Sequence, residues 1–214
     1  MMVSNAIRSS YMRFYKAWRL VSGPVTLGLA KAYLRLHGVR FGDGLQMYSL
    51  PICRRHPQAT IELGARVCVT NTTRENLAGV IHRTVLVANK PGARLRIGNQ
   101  VGISGAVIFC STEITIEDYV SIGAGAKIYD TDFHPVSAAD RRAGRAESIA
   151  TAPVRLCEDV WVGSDVIVLK GVTVGARSIL AAGSVVTSDI PPDTLAAGVP
   201  ARPVRSLIAN GQGP

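Results

Sequence analysis

Residues Leu156 to Ile190 read LCEDVWVGSDVIVLKGVTVGARSILAAGSVVTSDI. Taken in sixes, the stretch places a branched aliphatic side chain at Leu156, Val162, Val168, Val174, Leu180 and Val186. Four places after each of these comes a smaller or second apolar residue: Val160, Val166, Val172, Ser178, Ser184 and Ile190. An α-helix repeats its apolar face every 3.6 residues and a half-exposed strand every second residue, so a sustained beat of six belongs to neither alone. A short strand followed by a tight turn satisfies it. Three such units close one triangular turn of a parallel β-helix, about 18 residues per coil, with the aliphatic side chains pointing inward. Glycines beside the aliphatic position, as in Val162-Gly163 and Val174-Gly175, then fall at corners. There a positive φ or a close approach of backbones is needed.

Working outward, the same beat appears at Leu63 and Val69, within Ile61 to Val67 and beyond, and the first coil is expected soon after the turn Gly42-Asp43-Gly44. Asn71 to His82 interrupts it and reads as a loop thrown out from a corner. The rhythm returns at Ile97, Ile103 and Phe109, slips by one residue, and holds at Ile116, Ile122 and Ile128. From His134 to Thr151 the chain turns polar and charged, with Asp140, Arg141, Arg142, Arg145 and Glu147, and the core resumes at Val154. A long excursion from a regular solenoid is where function tends to be placed. The expected organisation is a helical segment over 1–45, an all-β domain over 46–200 built as a β-helix, and a tail over 201–214.

The composition agrees. Aromatic residues make up 6% of the 214, which suits a narrow core filled by Val, Ile, Leu and Ala. The net charge of +9 is uneven: residues 1–40 hold seven basic groups and no acidic one, leaving +2 for everything else. No nucleic-acid motif accompanies this terminal charge, so a nucleic-acid partner is not expected. The same segment places Tyr11, Phe14, Tyr15 and Trp18 at helical spacing, breaks at Ser22-Gly23-Pro24, and resumes as a second helix from Val25 to Leu36 closed by Gly38. Two roles fit it: a cap on the open end of the solenoid, or an aromatic and basic surface resting on an anionic membrane. The longest uncharged apolar run there, Leu20 to Ala30, is too short to span a bilayer, and no signal peptide is expected. Cys53, Cys68, Cys110 and Cys157 are scattered, without a Cys-x-x-Cys pair, as buried thiols of a reducing compartment would be. A cytoplasmic location, with contact at the inner membrane face as an extension, follows. The sequon Asn71-Thr72-Thr73 is expected to be idle there.

His37, His56, His82 and His134 are the only histidines, and none is paired closely enough in sequence to suggest zinc, so no metal is expected. The glycine clusters Gly102-x-x-Gly105 and Gly123-x-Gly125 lack the flanks of a phosphate loop. His134 stands apart: it follows Asp130-Thr131-Asp132-Phe133, precedes Pro135, and lies at the lip of the larger excursion.

Asp132-Phe133-His134-Pro135, Val160-Trp161-Val162-Gly163-Ser164, Val168 to Gly175, Ala182 to Thr187 and Ala197-Gly198-Val199-Pro200-Ala201 together resemble the hexapeptide-repeat acyltransferases of the left-handed β-helix type. The resemblance spans roughly 95–205 and is nearest the galactoside, maltose and nodulation-factor acetyltransferases and the O-acetyltransferases of capsular and colanic-acid polysaccharides. It implies a homotrimer that binds acetyl-CoA between neighbouring β-helices and acetylates a saccharide hydroxyl, with His134 as general base. Asp132, Asp130 or a backbone carbonyl would fix its tautomer. It further implies that Trp161, Ser164, Ala182 and Thr187 line the cofactor groove, with a main-chain N–H near Ser164 serving the oxyanion. Arg202 and Arg205 would meet the phosphates of CoA. Packing against a neighbouring subunit is the plainer role for Trp161, and a solvated tail the plainer role for the arginines.

Departures from the pattern bear on the acceptor. Ser188 stands where relatives often carry a lysine, no N-terminal acidic residue matches theirs, and Cys110-Ser111 stands near the place of their asparagine. Transfer to an amino-sugar nitrogen or to a xenobiotic hydroxyl is the alternative within the enzyme class. A non-catalytic assembly scaffold is the alternative outside it.

Overall fold

In the computed structural model, residues 25–74 and 76–208 are described. The aromatic stripe of Tyr11 to Trp18 and the break at residues 22–24 lie outside them.

Residues 25–36 form a helix, α1. Its stripe Leu27, Ala30 and Leu34 is spaced to face one way, and Ala30 and Leu34 are completely buried in the same cluster as the aliphatic side chains of the coils. The helix therefore closes the end of the solenoid. Gly38 ends it at φ 66°, with Gly38 N–H donating to Arg35 O and Val39 N–H to Leu34 O.

The chain then winds in coils of three strands. The first is β1 (Arg40–Phe41), β2 (Gln46–Met47) and β3 (Ile52–Arg55). The second is β4 (Thr60–Leu63), β5 (Cys68–Thr70) and β6 (Val85–Ala88). The third is β7 (Arg94–Ile97), β8 (Gly102–Ser104) and β9 (Val107–Cys110), and the fourth β10 (Glu113–Ile116), β11 (Ser121–Ile122) and β12 (Lys127–Tyr129). After an excursion holding α2 (Ala138–Arg142) come β13 (Val154–Leu156), β14 (Trp161–Val162) and β15 (Ile167–Val168), then β16 (Thr173–Val174), β17 (Ile179–Leu180) and β18 (Val185–Val186). An antiparallel hairpin, β19 (Thr194–Gly198) and β20 (Ala201–Ser206), ends the described chain.

The first strands of the coils stack in one parallel sheet, the second strands with the hairpin in another, and the third strands in another, making faces one, two and three of a prism. Across coils the inward residues are in register. Ile116, Leu156 and Val174 align on face one, Ile122, Val162 and Leu180 on face two, and Ile128, Val168 and Val186 on face three. All are buried. Each such side chain contributes about 1.5–3 kcal/mol of burial, so the six-residue beat is the stability of the fold written along the chain.

Three details differ from the expectation. Ile108, not Phe109, occupies the inward ladder between Leu86 and Ile128, and Phe109 faces out. The register slips at the corner before residue 109, because the turn from Ile103 to Ile108 is one residue short. Second, the two needs assigned to corner glycines are both met by Gly105 and Gly125 at the corner between faces two and three, but part company at most corners between faces one and two. Gly64 and Gly98 are there for close approach: a Cβ on Gly64 would lie 2.5 Å from the Gly98 carbonyl. The left-handed backbone falls two residues later, on Arg66, Gln100, Tyr119, Asp159 and Arg177, all non-glycine. Their amides donate to the preceding coil, as Gln100 N–H does to Ala65 O at 2.8 Å, and that fixed bond holds the turn. Third, regular structure exceeds the 46–200 span on both sides. β1 already pairs with β4, and residues 201–206 are a strand rather than a tail.

Among the described residues no helix is long and apolar enough to cross a membrane.

Candidate active site

The larger excursion leaves the corner between faces three and one, after β12, and is pinched at its base. Thr131 bridges Thr151 antiparallel, Asp132 N–H donates to Ala150 O at 3.1 Å, and Ala152 N–H to Asp130 O at 3.0 Å. Asp130, completely buried, is spent on this anchorage. Its carboxylate accepts from the amides of Ser111, Thr112 and Glu113 and from Thr112 Oγ1, at 2.6–3.0 Å, tying the excursion to the coil below. It is thereby removed as a partner for His134.

His134 is exposed on the turn that follows. Phe133 adopts φ 64°, which swings the chain outward, and His134 N–H closes back on Asp132 O at 2.8 Å. Phe133 packs edge-on against Phe109 (4.8 Å between ring centroids) and Tyr129 (4.9 Å). Burial of Tyr129 raises its phenol above the ordinary value. Arg141, in α2, donates to the carbonyls of Pro135 and Val136 at 2.9 and 2.6 Å. The Asp132 carboxylate, one of the three candidates to orient the imidazole, meets Lys170 Nζ at 2.8 Å. No described residue hydrogen-bonds the His134 ring, so the imidazole is presented with both nitrogens open.

The expected cofactor residues fall mostly elsewhere on the prism. Trp161 is 55% exposed on the outer side of face two, flanking a shallow depression of about 250 Å³ floored by Gly102, Ile103, Ser104, Ser121 and Gly123. Ser164 and Ala182 occupy the corner between faces two and three in successive coils, where Gly163 lets them stack: a Cβ there would lie 2.7 Å from Ala182 N. Among the described residues the amides of Ser164 and Ala182 have no acceptor, so the corner presents main-chain donors one above the other. In β20 a bulge at Leu195/Ala196 pairs Arg202 with Ala197 and Arg205 with Leu195, both outward positions of β19. The extra residue puts the two arginines on one exposed face, which strict alternation would have split. Thr187 stands apart from these, exposed at the end of β18 on the His134 side of face three.

One chain thus carries the imidazole at one corner and the stacked donors at another. A strand of about four residues separates them, on the order of 13 Å. A hollow of about 510 Å³ along the corner between faces one and two holds neither; Arg155, Glu117, Asp118 and Asn99 fill its walls with mutual pairs. Asn99 holds the Asp118 carboxyl below the ordinary carboxylate range.

Comparison with known proteins agrees with this architecture. The family model of the bacterial transferase hexapeptide, six repeats, matches residues 153–188. The chain carries the hexapeptide repeat. It is 42% identical over 94 residues to the galactoside O-acetyltransferase of Escherichia coli, covering 44% of each chain. It is 40% identical over 96 residues to that of Lactococcus lactis, covering 45% of this chain and 44% of the relative. The match therefore spans less than half the length of these curated relatives. Among solved structures it resembles a hexapeptide-repeat acetyltransferase of Vibrio cholerae complexed with acetyl-CoA, with 26% identity, 90% and 88% coverage and a TM-score of 0.54. It also resembles a galactoside acetyltransferase in complex with coenzyme A, with 26% identity, 79% and 67% coverage and a TM-score of 0.50. The fold of this hexapeptide-repeat chain is the left-handed β-helix of that group.

Of the groups around His134 in the hexapeptide-repeat chain, Lys170 and the outward Phe109 escape a reading of the sequence. Outward residues carry no periodic constraint, and Phe109 sits where the beat itself had slipped. All four cysteines are free thiols. Burial pushes Cys53 up to about 12 and raises Cys110 further, so neither is a nucleophile at neutral pH. Among the described residues no three His, Cys, Asp or Glu side chains gather to hold a metal ion.

Proposed function

We propose that this protein is an acetyl-CoA-dependent O-acetyltransferase that modifies a sugar hydroxyl, working as a homotrimer with His134 as its general base. The observation that carries the reading is the exposed imidazole of His134, on a turn fixed by its neighbours at the mouth of the long excursion. The 42% identity to a galactoside O-acetyltransferase supports it.

In the proposed step the His134 ring accepts the proton of the acceptor hydroxyl as that oxygen attacks the thioester carbonyl. The new C–O bond forms, the C–S bond breaks, and the imidazolium returns the proton to the CoA sulfur. A base of this kind contributes about 10²- to 10⁴-fold. The unpaired amides at Ser164 and Ala182 suit a carbonyl or an oxyanion, because they are aimed by the coil and need no reorganisation. Arg202 and Arg205 suit a phosphate, and Trp161 the edge of a groove. Two corners of one prism cannot converge, so the reading requires a second copy to bring its donor corner to the first copy's His134. A closed ring of copies meets this requirement for every His134 at once.

His134→Ala tests the reading: thiol release from acetyl-CoA in the presence of candidate glycosides should fall at least ~100-fold while the oligomer and melting temperature stay unchanged. Full turnover in that variant would point to the scaffold alternative. The same assay with amino sugars distinguishes a nitrogen acceptor.

A peripheral contact with an anionic membrane through residues 1–40 is a second reading, motivated by Val25, Leu29 and Leu36 exposed at 62%, 61% and 84% on the helix that carries Lys31 and Arg35. Equal sedimentation with and without phosphatidylserine vesicles would remove it.

A further inference from the structure

The turn bearing His134 is held by side chains that belong to other parts of the prism. Lys170 comes from the turn after β15, one coil further on, and its ammonium meets Asp132 Oδ1 at 2.8 Å. Both partners are about two-thirds shielded, with side-chain exposures of 31% and 29%, so the pair is screened less than a surface ion pair and keeps a defined geometry. Asp132 is the residue whose carbonyl accepts the His134 amide, so whatever fixes Asp132 fixes the start of the histidine's backbone.

On the other side lies Phe133. A bulky residue in the left-handed region is disfavoured, and such a conformation persists only where its surroundings over-determine it. Here those surroundings are Phe109, from the coil below, and Tyr129, which grip the ring on two edges, while Thr131 Oγ1 accepts from Phe133 N–H at 3.4 Å. A glycine would take this backbone without strain. The phenylalanine supplies in exchange a ring that locks the turn to face three. The imidazole itself makes no hydrogen bond to a described residue, so what this backbone fixes is the Cα–Cβ bond from which the ring projects.

We propose that Lys170 and Phe133 are positioning residues for His134: the Lys170–Asp132 pair and the Phe133 ring, braced on Phe109 and Tyr129, hold the imidazole in the direction from which it accepts the acceptor's proton. This rests on His134 being the base. Neither residue touches substrate in this assignment. A displacement of about 1 Å at a reacting group can cost up to ~10²-fold in rate, so loss of either clamp is expected to act on turnover rather than on donor affinity.

The test uses the full-length protein and measures kcat, KM for acetyl-CoA and melting temperature separately. Lys170→Met and Asp132→Asn should each lower kcat about 10-fold with KM for acetyl-CoA within twofold. The double variant should lose no more than either single one, because both remove one contact, and Lys170→Arg should restore most of the rate. Phe133→Gly sets relief of the left-handed strain against loss of two ring contacts, so it should melt within a few degrees of the parent yet turn over about 10-fold more slowly, whereas Phe133→Tyr should stay within twofold. Two results would overturn the inference: wild-type kcat in both Lys170→Met and Phe133→Gly, or losses that multiply in the Lys170→Met, Asp132→Asn pair. His134→Ala in parallel separates the two readings. If that variant is inactive while the clamps prove dispensable, only the positioning role falls; if it turns over normally, the general base falls as well.

Discussion

Two buried groups show how single residues decide what the sequence pattern leaves open. Asp130 lies next to the candidate base in sequence but is turned inward, where three consecutive amides and a hydroxyl surround its carboxylate. Asp130→Ala would strand those amides in a buried site, at about 1–3 kcal/mol each where water cannot reach them. A loss of about 3 kcal/mol in chemical denaturation is expected, with turnover reduced through loosening of the excursion. Cys53 makes the opposite kind of statement. Its thiol is held neutral to about 12, whereas in the unfolded chain it ionises near 9.0. Between those values the unfolded state has lost a proton that the folded state keeps. Stability from this group is therefore complete below pH 9 and falls as pH rises toward 12, at no more than about 1.4 kcal/mol per pH unit. Denaturation midpoints at pH 8 and pH 11 should converge in Cys53→Ala and diverge in the parent. Asn71 follows the same logic: the sequon residue is buried, with Nδ2 donating to Ser49 O and Oδ1 accepting from Thr84 N, so it closes the smaller excursion.

At the scale of elements, the hairpin β19–β20 carries the sharpest consequence. Its bulge brings Arg202 and Arg205 to one exposed side. Replacing both by alanine should raise KM for acetyl-CoA about 10-fold with kcat retained, and should leave KM for the 3′-dephospho donor nearly unchanged, as loss of a phosphate contact requires. An equal rise for both donors would assign the arginines another role. The same element shows why a tail was expected. Neither Pro203 nor the paired arginines carries the six-residue beat, because an antiparallel closing strand does not belong to the coil.

For the whole molecule, the proposed pairing of His134 with a donor corner that lies elsewhere on the same prism makes oligomerisation a condition of that proposal. His134→Ala chains and Ala182→Trp chains, each inactive alone, should regain turnover when unfolded together and refolded. With random mixing, about a quarter of the interfaces pair an intact histidine with an intact donor corner. Failure of mixed assemblies to recover any activity would place the whole site within one copy. The inward ladder, the count of residues per coil, both excursions and the helix ended by Gly38 follow from the sequence, because burial imposes a period and a period is visible in one dimension. The resemblance of Asp132-Phe133-His134-Pro135 to known acyltransferases likewise singled out the histidine. Only the tertiary structure decided that Phe109 faces outward, that non-glycine residues take the left-handed position at most corners between faces one and two, that Asp130 anchors and that Asp132 answers to Lys170. These are contacts between coils, made by outward side chains, corner amides and one buried carboxylate whose partners lie 17 to 41 residues away and leave no periodic trace.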